Sequence, residues 1–72
     1  MPSNLTYRVK WRSGLDGRWE HARYDAAPNK GRVIHFPKRQ KARQWIRNHE
    51  YMVDGPSAWI TGGIDDEEIK IR

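Results

Sequence analysis

Three histidines, a run of four acids and three serines are the residues of this 72-residue chain whose types could do metal or covalent chemistry. His21, His35 and His49 recur every 14 residues, which is neither a helical nor a strand repeat and matches no metal-ligand spacing. Asp65, Asp66, Glu67 and Glu68 have the composition of a cation-binding cluster. They lack the interleaved spacing and central glycine of a calcium loop, so the pattern predicts a solvated acidic turn. Ser3, Ser13 and Ser57 lie in no nucleophile motif, and no glycine loop for a phosphate or dinucleotide is present. The chain has no cysteine, which removes thiolate catalysis, thiolate metal sites and disulfides. The expectation is a non-enzymatic protein with no metal and no other cofactor.

Binding chemistry is better represented. Lys38, Arg39, Lys41, Arg43 and Arg47 place five cations in one segment with no acid before Glu50. Arg39, Arg43 and Arg47 stand at i, i+4 and i+8, with Gln40, Gln44 and Asn48 beside them. Arginine with glutamine or asparagine on one helical face suits phosphate contact and the reading of base edges. Like charges at i, i+4 cost a helix a few tenths of a kcal/mol per pair, roughly, which a polyanionic partner would offset. The alternative is the solvent face of an amphipathic helix whose other face holds Trp45. A second basic surface is the polar face of an N-terminal hairpin, comprising Arg8, Arg12, Arg18 and Tyr24, with Lys10 partly neutralised by Glu20. There Tyr24 is available for base stacking.

The elements that must carry these residues follow from periodicity. Leu5, Tyr7, Val9 and Trp11 alternate with Thr6, Arg8, Lys10 and Arg12, the pattern of a strand with one buried face. Ser13-Gly14-Leu15-Asp16-Gly17 supplies a turn, and Arg18 to Asp25 reads as the returning strand. A five-residue loop would pair Trp11 with Trp19, Val9 with His21, Tyr7 with Arg23, Lys10 with Glu20, Arg8 with Ala22 and Thr6 with Tyr24. Ala26 to Gly31 is a loop, and Arg32-Val33-Ile34-His35-Phe36 is a short β-type run stopped by Pro37. Ala42, Trp45, Ile46 and His49 then follow helical spacing, continued by Met52 and Val53, until Asp54-Gly55-Pro56 ends the helix. Ser57 to Thr61 and Ile69 to Arg72 read as two further strands.

The expected fold is therefore α+β, one domain over residues 1–72, with an antiparallel sheet of three to five strands packed on one helix in the order β-β-β-α-β-β. Trp11, Trp19 and Trp45 are expected in the core, and Trp59 at a surface or partner contact. If the helix covers the apolar sheet face, its basic side and the hairpin's polar face point in opposite directions.

Length and composition set the outer limits. Seventy-two residues hold one small domain, and 36% hydrophobic residues close a core only because four Trp, three Tyr and one Phe are among them. Mean hydropathy is −1.05 and no apolar run approaches a membrane span, so no membrane partner is expected. The opening Met1-Pro2-Ser3-Asn4 lacks the layout of a secretory signal, which makes the cytoplasm the expected location. The net charge of +5 is uneven: residues 1–47 hold 12 basic and 3 acidic side chains, residues 48–72 hold 2 and 6. That asymmetry suggests a side that faces a polyanion and an acidic flank.

Tyr7-Arg8-Val9-Lys10-Trp11-Arg12-Ser13-Gly14 followed by Trp19-Glu20 resembles the hairpin of a chromodomain, where a Tyr-x-Val-Lys-Trp-Lys-Gly run precedes Trp-Glu-Pro. His21 stands where that proline would be, the gap between the tryptophans is shorter, and no earlier strand supplies the rest of an aromatic cage. Three strands followed by a helix is similar to the arm-type DNA-binding modules of phage integrases, which enter the major groove with the sheet. In its small size and its wealth of Arg and Trp the chain also looks like a bacteriophage accessory protein. Together these features lead to the expectation of a nucleic-acid-binding domain, DNA ahead of RNA, that grips phosphates mainly from the helix. The alternative is a protein-interaction module, of the phage accessory type, that binds an acidic patch on a host protein or complex. Packing of Asp65 to Glu68 beside Arg39 to Arg47 would neutralise the patch, weigh against nucleic acid and favour the protein-interaction module.

Overall fold

The computed structural model describes residues 6–13 and 17–71. Four strands, β1 (Arg8–Ser13), β2 (Arg18–His21), β3 (Ser57–Thr61) and β4 (Glu67–Lys70), form one antiparallel sheet in the order β2-β1-β3-β4. A ten-residue helix, α1 (Arg39–Asn48), packs against β1 and β3 and is followed by a 3-10 turn over Glu50–Met52. The fold is α+β, as the alternating and helical patterns require. The chain order is β-β-α-β-β, because the Arg32 to Phe36 run forms two isolated bridges instead of a strand. One joins Arg23 to Val33 and the other joins Tyr7 to Phe36. The run crosses from the end of the hairpin's second arm to the start of its first, so neither partner offers it a continuous ladder.

Helix α1 begins two residues after Pro37, whose ring disfavours a helical conformation in the residue before it. Lys38 occupies the cap position with extended backbone and gives no side-chain cap bond. What holds the helix is its apolar stripe: Ala42 and Ile46 are fully buried against Val9, Trp11, Ala58, Ile60 and Ile69. Each fully buried Val or Ile side chain contributes about 1.5–3 kcal/mol. Trp45 is half-buried at the edge of this core, its ring 5.4 Å from that of Trp11 and stacked at 4.1 Å on His49. The His49 Nδ1 lies 2.8 Å from the Trp45 carbonyl oxygen, which fixes the imidazole on the indole.

The β1–β2 register differs by one residue from the pairing expected from the loop length. Lys10 faces His21, Trp11 faces Glu20, Arg12 faces Trp19 and Ser13 faces Arg18. The expected Trp11–Trp19 and Lys10–Glu20 pairs are therefore not formed. The observed register seats Ala22 in the core, its backbone N–H bonded to the Val9 carbonyl at 2.9 Å. The expected one would have put His21 beside Val9, burying an imidazole in an apolar layer at a desolvation cost. A one-residue shift exchanges the faces of every side chain on β2. Trp19 thus leaves the core and is 44% exposed. Tyr7 likewise bridges Phe36 rather than Arg23, and the Tyr24 N–H is bonded to the Arg32 carbonyl rather than facing Thr6. Leu5, expected on the buried face of the first strand, lies outside the described residues.

The β3–β4 connection passes close to the start of β1. Gly62 has φ +96°, and a Cβ there would come within 2.6 Å of the Thr6 carbonyl oxygen. Only glycine permits both the left-handed backbone and that approach.

Candidate nucleic-acid interface

Alternation along each strand sorts the basic residues onto two surfaces on opposite sides of the sheet. The first is the flank of α1. Arg43 makes a two-point contact with Glu67, Nε to Oε2 at 2.8 Å and Nη2 to Oε1 at 2.9 Å. Arg39 donates to Glu67 Oε1 at 3.1 Å and to the Asp65 carbonyl at 2.8 Å, with its guanidinium 5.0 Å from the centre of the Tyr7 ring. Arg47 pairs with Glu50 at 2.8 Å and donates to the Lys70 carbonyl. Glu67 reaches the arginines because it faces Ile60 across the β3–β4 ladder and so stands on the helix side of the sheet. The bond from Arg43 holds the Glu67 carboxyl below its ordinary range, outweighing partial burial, with Arg39 adding to the effect. The same bond raises the Arg43 guanidinium. All three arginines at i, i+4 and i+8 are thus engaged within the chain. Lys38, Lys41 and Gln44 remain exposed, and the two lysines have no acidic partner among the described residues.

The second surface is the sheet face turned away from the helix. By register it carries Arg8, Lys10 and Arg12 on β1, Trp19 and His21 on β2, Trp59 and Thr61 on β3, and Glu68 and Lys70 on β4. Trp19 is flanked by two cations, Lys10 Nζ at 5.0 Å and the Arg12 guanidinium at 4.9 Å from its ring centre. Trp59, half-buried, faces Lys10 from one side and Glu68 from the other. Among the described residues, Glu68 is the acid that the register places on this face, at its far edge. It accepts a 2.7 Å hydrogen bond from Ser57 Oγ, which lowers its pKa, and lies 3.5 Å from Lys70 Nζ. Among the described residues, Arg8, Lys10 and Arg12 have no carboxylate partner.

His21 registers the resulting field. Its pKa is lowered first by burial and then by the charges of Arg8, Arg23 and Lys10, with Glu20 opposing. Burial first, and the neighbouring positive charges with it, disfavour a proton on His21. Between Trp19, Trp59 and Arg12 a cavity of about 340 Å³ opens, floored by Gly55, Pro56 and Ser57. The chain enters there because the Asp54 N–H bonds the Arg12 carbonyl at 3.2 Å, drawing residues 54–56 alongside β1.

Of the residues singled out on the hairpin, Arg8 and Arg12 lie on this open face. Arg18, paired with Ser13, does not share it, because the register shift turns it to the other side. Tyr24 lies beyond β2 and lines a separate groove of about 380 Å³ with Phe36, Lys41, Gln44 and Trp45. Periodicity missed Trp19 as a surface residue, since an aromatic in a β-type run reads as core. The signal that could have found it is the cost of the alternative, His21 in an apolar layer. No group of three or more His, Asp or Glu side chains with metal-site geometry occurs among the described residues. No helix among them is long and apolar enough to cross a membrane. The chain matches no protein-family model, no curated protein and no solved structure.

Proposed function

We propose that this chain is a non-enzymatic nucleic-acid-binding domain that meets the phosphate backbone with the open face of its sheet. The observation that carries the proposal is the contrast in charge pairing. Arg39, Arg43 and Arg47 are each paired within the chain, with Glu67 shared by two of them, whereas Arg8, Lys10 and Arg12 stand together around two accessible indoles with no carboxylate partner among the described residues. Cations in that arrangement attract a polyanion, and the rings beside them supply contact area that a purely electrostatic surface lacks. The helix, the surface favoured by the sequence, keeps only Lys38 and Lys41 as exposed cations without an acidic partner among the described residues, and it is not the contact proposed.

A protein-interaction module is the second reading, and Glu67 favours it by removing the helix arginines from the polyanion-facing charge. The groove between Tyr24, Phe36 and Trp45 would then be the contact. A fluorescence-anisotropy titration with labelled DNA and RNA, single-stranded and duplex, at several salt concentrations separates the two. Nucleic-acid binding with three or four phosphate contacts gives a slope of log K against log salt of roughly −2 to −4, depending on strandedness. Absence of binding to every probe at low salt would leave the protein-partner reading in front.

A further inference from the structure

Resting on that reading, we infer that the cavity between Trp19, Trp59 and Arg12 is a stacking site for an unpaired nucleobase, which makes single-stranded nucleic acid the preferred ligand over duplex. Trp19 and Trp59 stand on the two strands that flank β1, so their indoles border Arg12 and Lys10 from either side. The cavity's volume, about 340 Å³, falls at the lower end of the ~300–1,000 Å³ range of small-ligand pockets. It is therefore of a size for one base, and too small for a folded partner.

Charge decides the class of ligand. A pair of indoles could in principle hold an alkylated ammonium group, the use to which aromatic cages are put. Here Lys10 and Arg12 already lie against Trp19, at 5.0 and 4.9 Å from its ring centre, and a third cation would be repelled. A nucleotide reverses the sign. Its base has a π-face for the indole, and its phosphate accepts the displaced cation. Base–aromatic stacking is stronger than a single exposed cation–π contact, and each displaced cation gains a phosphate partner, so the exchange is favourable. A paired base keeps its faces stacked on its own neighbours, so a duplex can offer this face phosphates but no ring. Glu68 contributes direction: it pairs with Lys70 on the β4 side, so that edge offers less unpaired positive charge and the β1–β2 side is left for the phosphates.

The test is anisotropy of the full chain with a labelled oligothymidylate of about 12 nucleotides, within the ~4–16 nucleotide sites such surfaces cover, and with a duplex of equal length. The single strand is expected to bind about tenfold or more tightly, and Trp19→Leu to weaken it roughly 5- to 100-fold, clearly more than it weakens the duplex. Trp59→Phe, which keeps a ring, should lose less than Trp59→Leu, and thermal melts of each variant exclude loss of fold. Equal affinity for strand and duplex, or a Trp19→Leu variant that binds the strand like the wild type, would overturn the stacking site while leaving the phosphate-binding reading intact. Absence of binding to both probes would overturn both.

Discussion

The flank of α1 and the open face of the sheet begin from similar composition, three arginines on one and two arginines with a lysine on the other. They differ in how those cations are paired. On the helix side, β4 delivers Glu67 to Arg39 and Arg43, and the carboxyl is pulled below its ordinary range. On the open side, β2 delivers Trp19 and His21 to Arg12 and Lys10, and the imidazole is pushed down in part by surrounding positive charge. Strand order makes the difference. With β1 in the interior of the sheet, its polar residues meet β2 and β3, which bring rings and an imidazole. Glu67 and Glu68 arrive on β4, at the far edge. A count of charges along the chain cannot tell a patch that binds a partner from one that binds the protein itself.

The largest effect that would break this comparison is on stability. Ile60 is fully buried on the helix side of β3, and Ile60→Ala should cost about 2–5 kcal/mol, enough to unfold a domain of this size. Trp19→Leu, on the open face, should cost about 0.5 kcal/mol. Urea denaturation of the two variants measures the difference, and a similar large loss in Trp19→Leu would return Trp19 to the core.

Next in size is the ranking of arginines in binding. Arg12→Ala should weaken nucleic-acid affinity by about three- to tenfold and flatten the salt slope by about one contact. Arg43→Ala, already paired with Glu67, should change affinity less than twofold, roughly, since it withdraws no unpaired charge. The opposite ranking would restore the helix as the main contact. A smaller effect sharpens the other side: Glu67→Gln should lower stability slightly at neutral pH and strengthen nucleic-acid binding by releasing two guanidinium groups. Because the folded carboxyl titrates below the unfolded one, its contribution is complete above the ordinary glutamate range and is lost as pH falls through the lowered value. The urea midpoints of wild type and Glu67→Gln should therefore converge in acid.

His21 gives the next prediction. With its pKa lowered in the free protein, protonation opposes folding, so stability should rise with pH up to about the unfolded value of 6.5. A bound phosphate backbone reverses the local sign and favours the imidazolium. Affinity should then increase a few-fold between neutral pH and about pH 5.5, and His21→Gln should abolish that increase. Smallest of all is the effect of a chelator: EDTA should leave the melting temperature unchanged, and a clear drop would reveal a metal.

Much of the architecture was legible in the residues. Alternation through Val9 and Trp11 and the Ala42–Ile46 stripe locate β1 and α1, and Asp54-Gly55-Pro56 marks the turn before β3, but the helix expected to run on to that stop ends at Asn48 and gives way to the 3-10 turn. Trp59 was marked for the surface by its setting between Pro56 and the Gly62-Gly63 pair. What escaped was the hairpin register and with it the face of Trp19, Arg18 and His21. Two indoles side by side are a favourable pair, but excluding His21 from the core and placing Trp19 between two cations outweighs them. Long-range pairing escaped as well. Contact between Arg43 and Glu67 spans 24 positions and depends on which face of β4 meets the helix, a matter the local pattern does not decide.

The central claim, that the open sheet face rather than the helix flank meets nucleic acid, is most directly tested by an NMR titration of the four tryptophan indole N–H signals with oligothymidylate. Trp19 and Trp59 should shift progressively and together with the amides of Lys10 and Arg12, while Trp11, Trp45 and the amides of Arg39 to Arg47 stay in place. Shifts concentrated on Trp45 and the α1 amides, with Trp19 and Trp59 unmoved, would contradict the claim and move the interface to the helix.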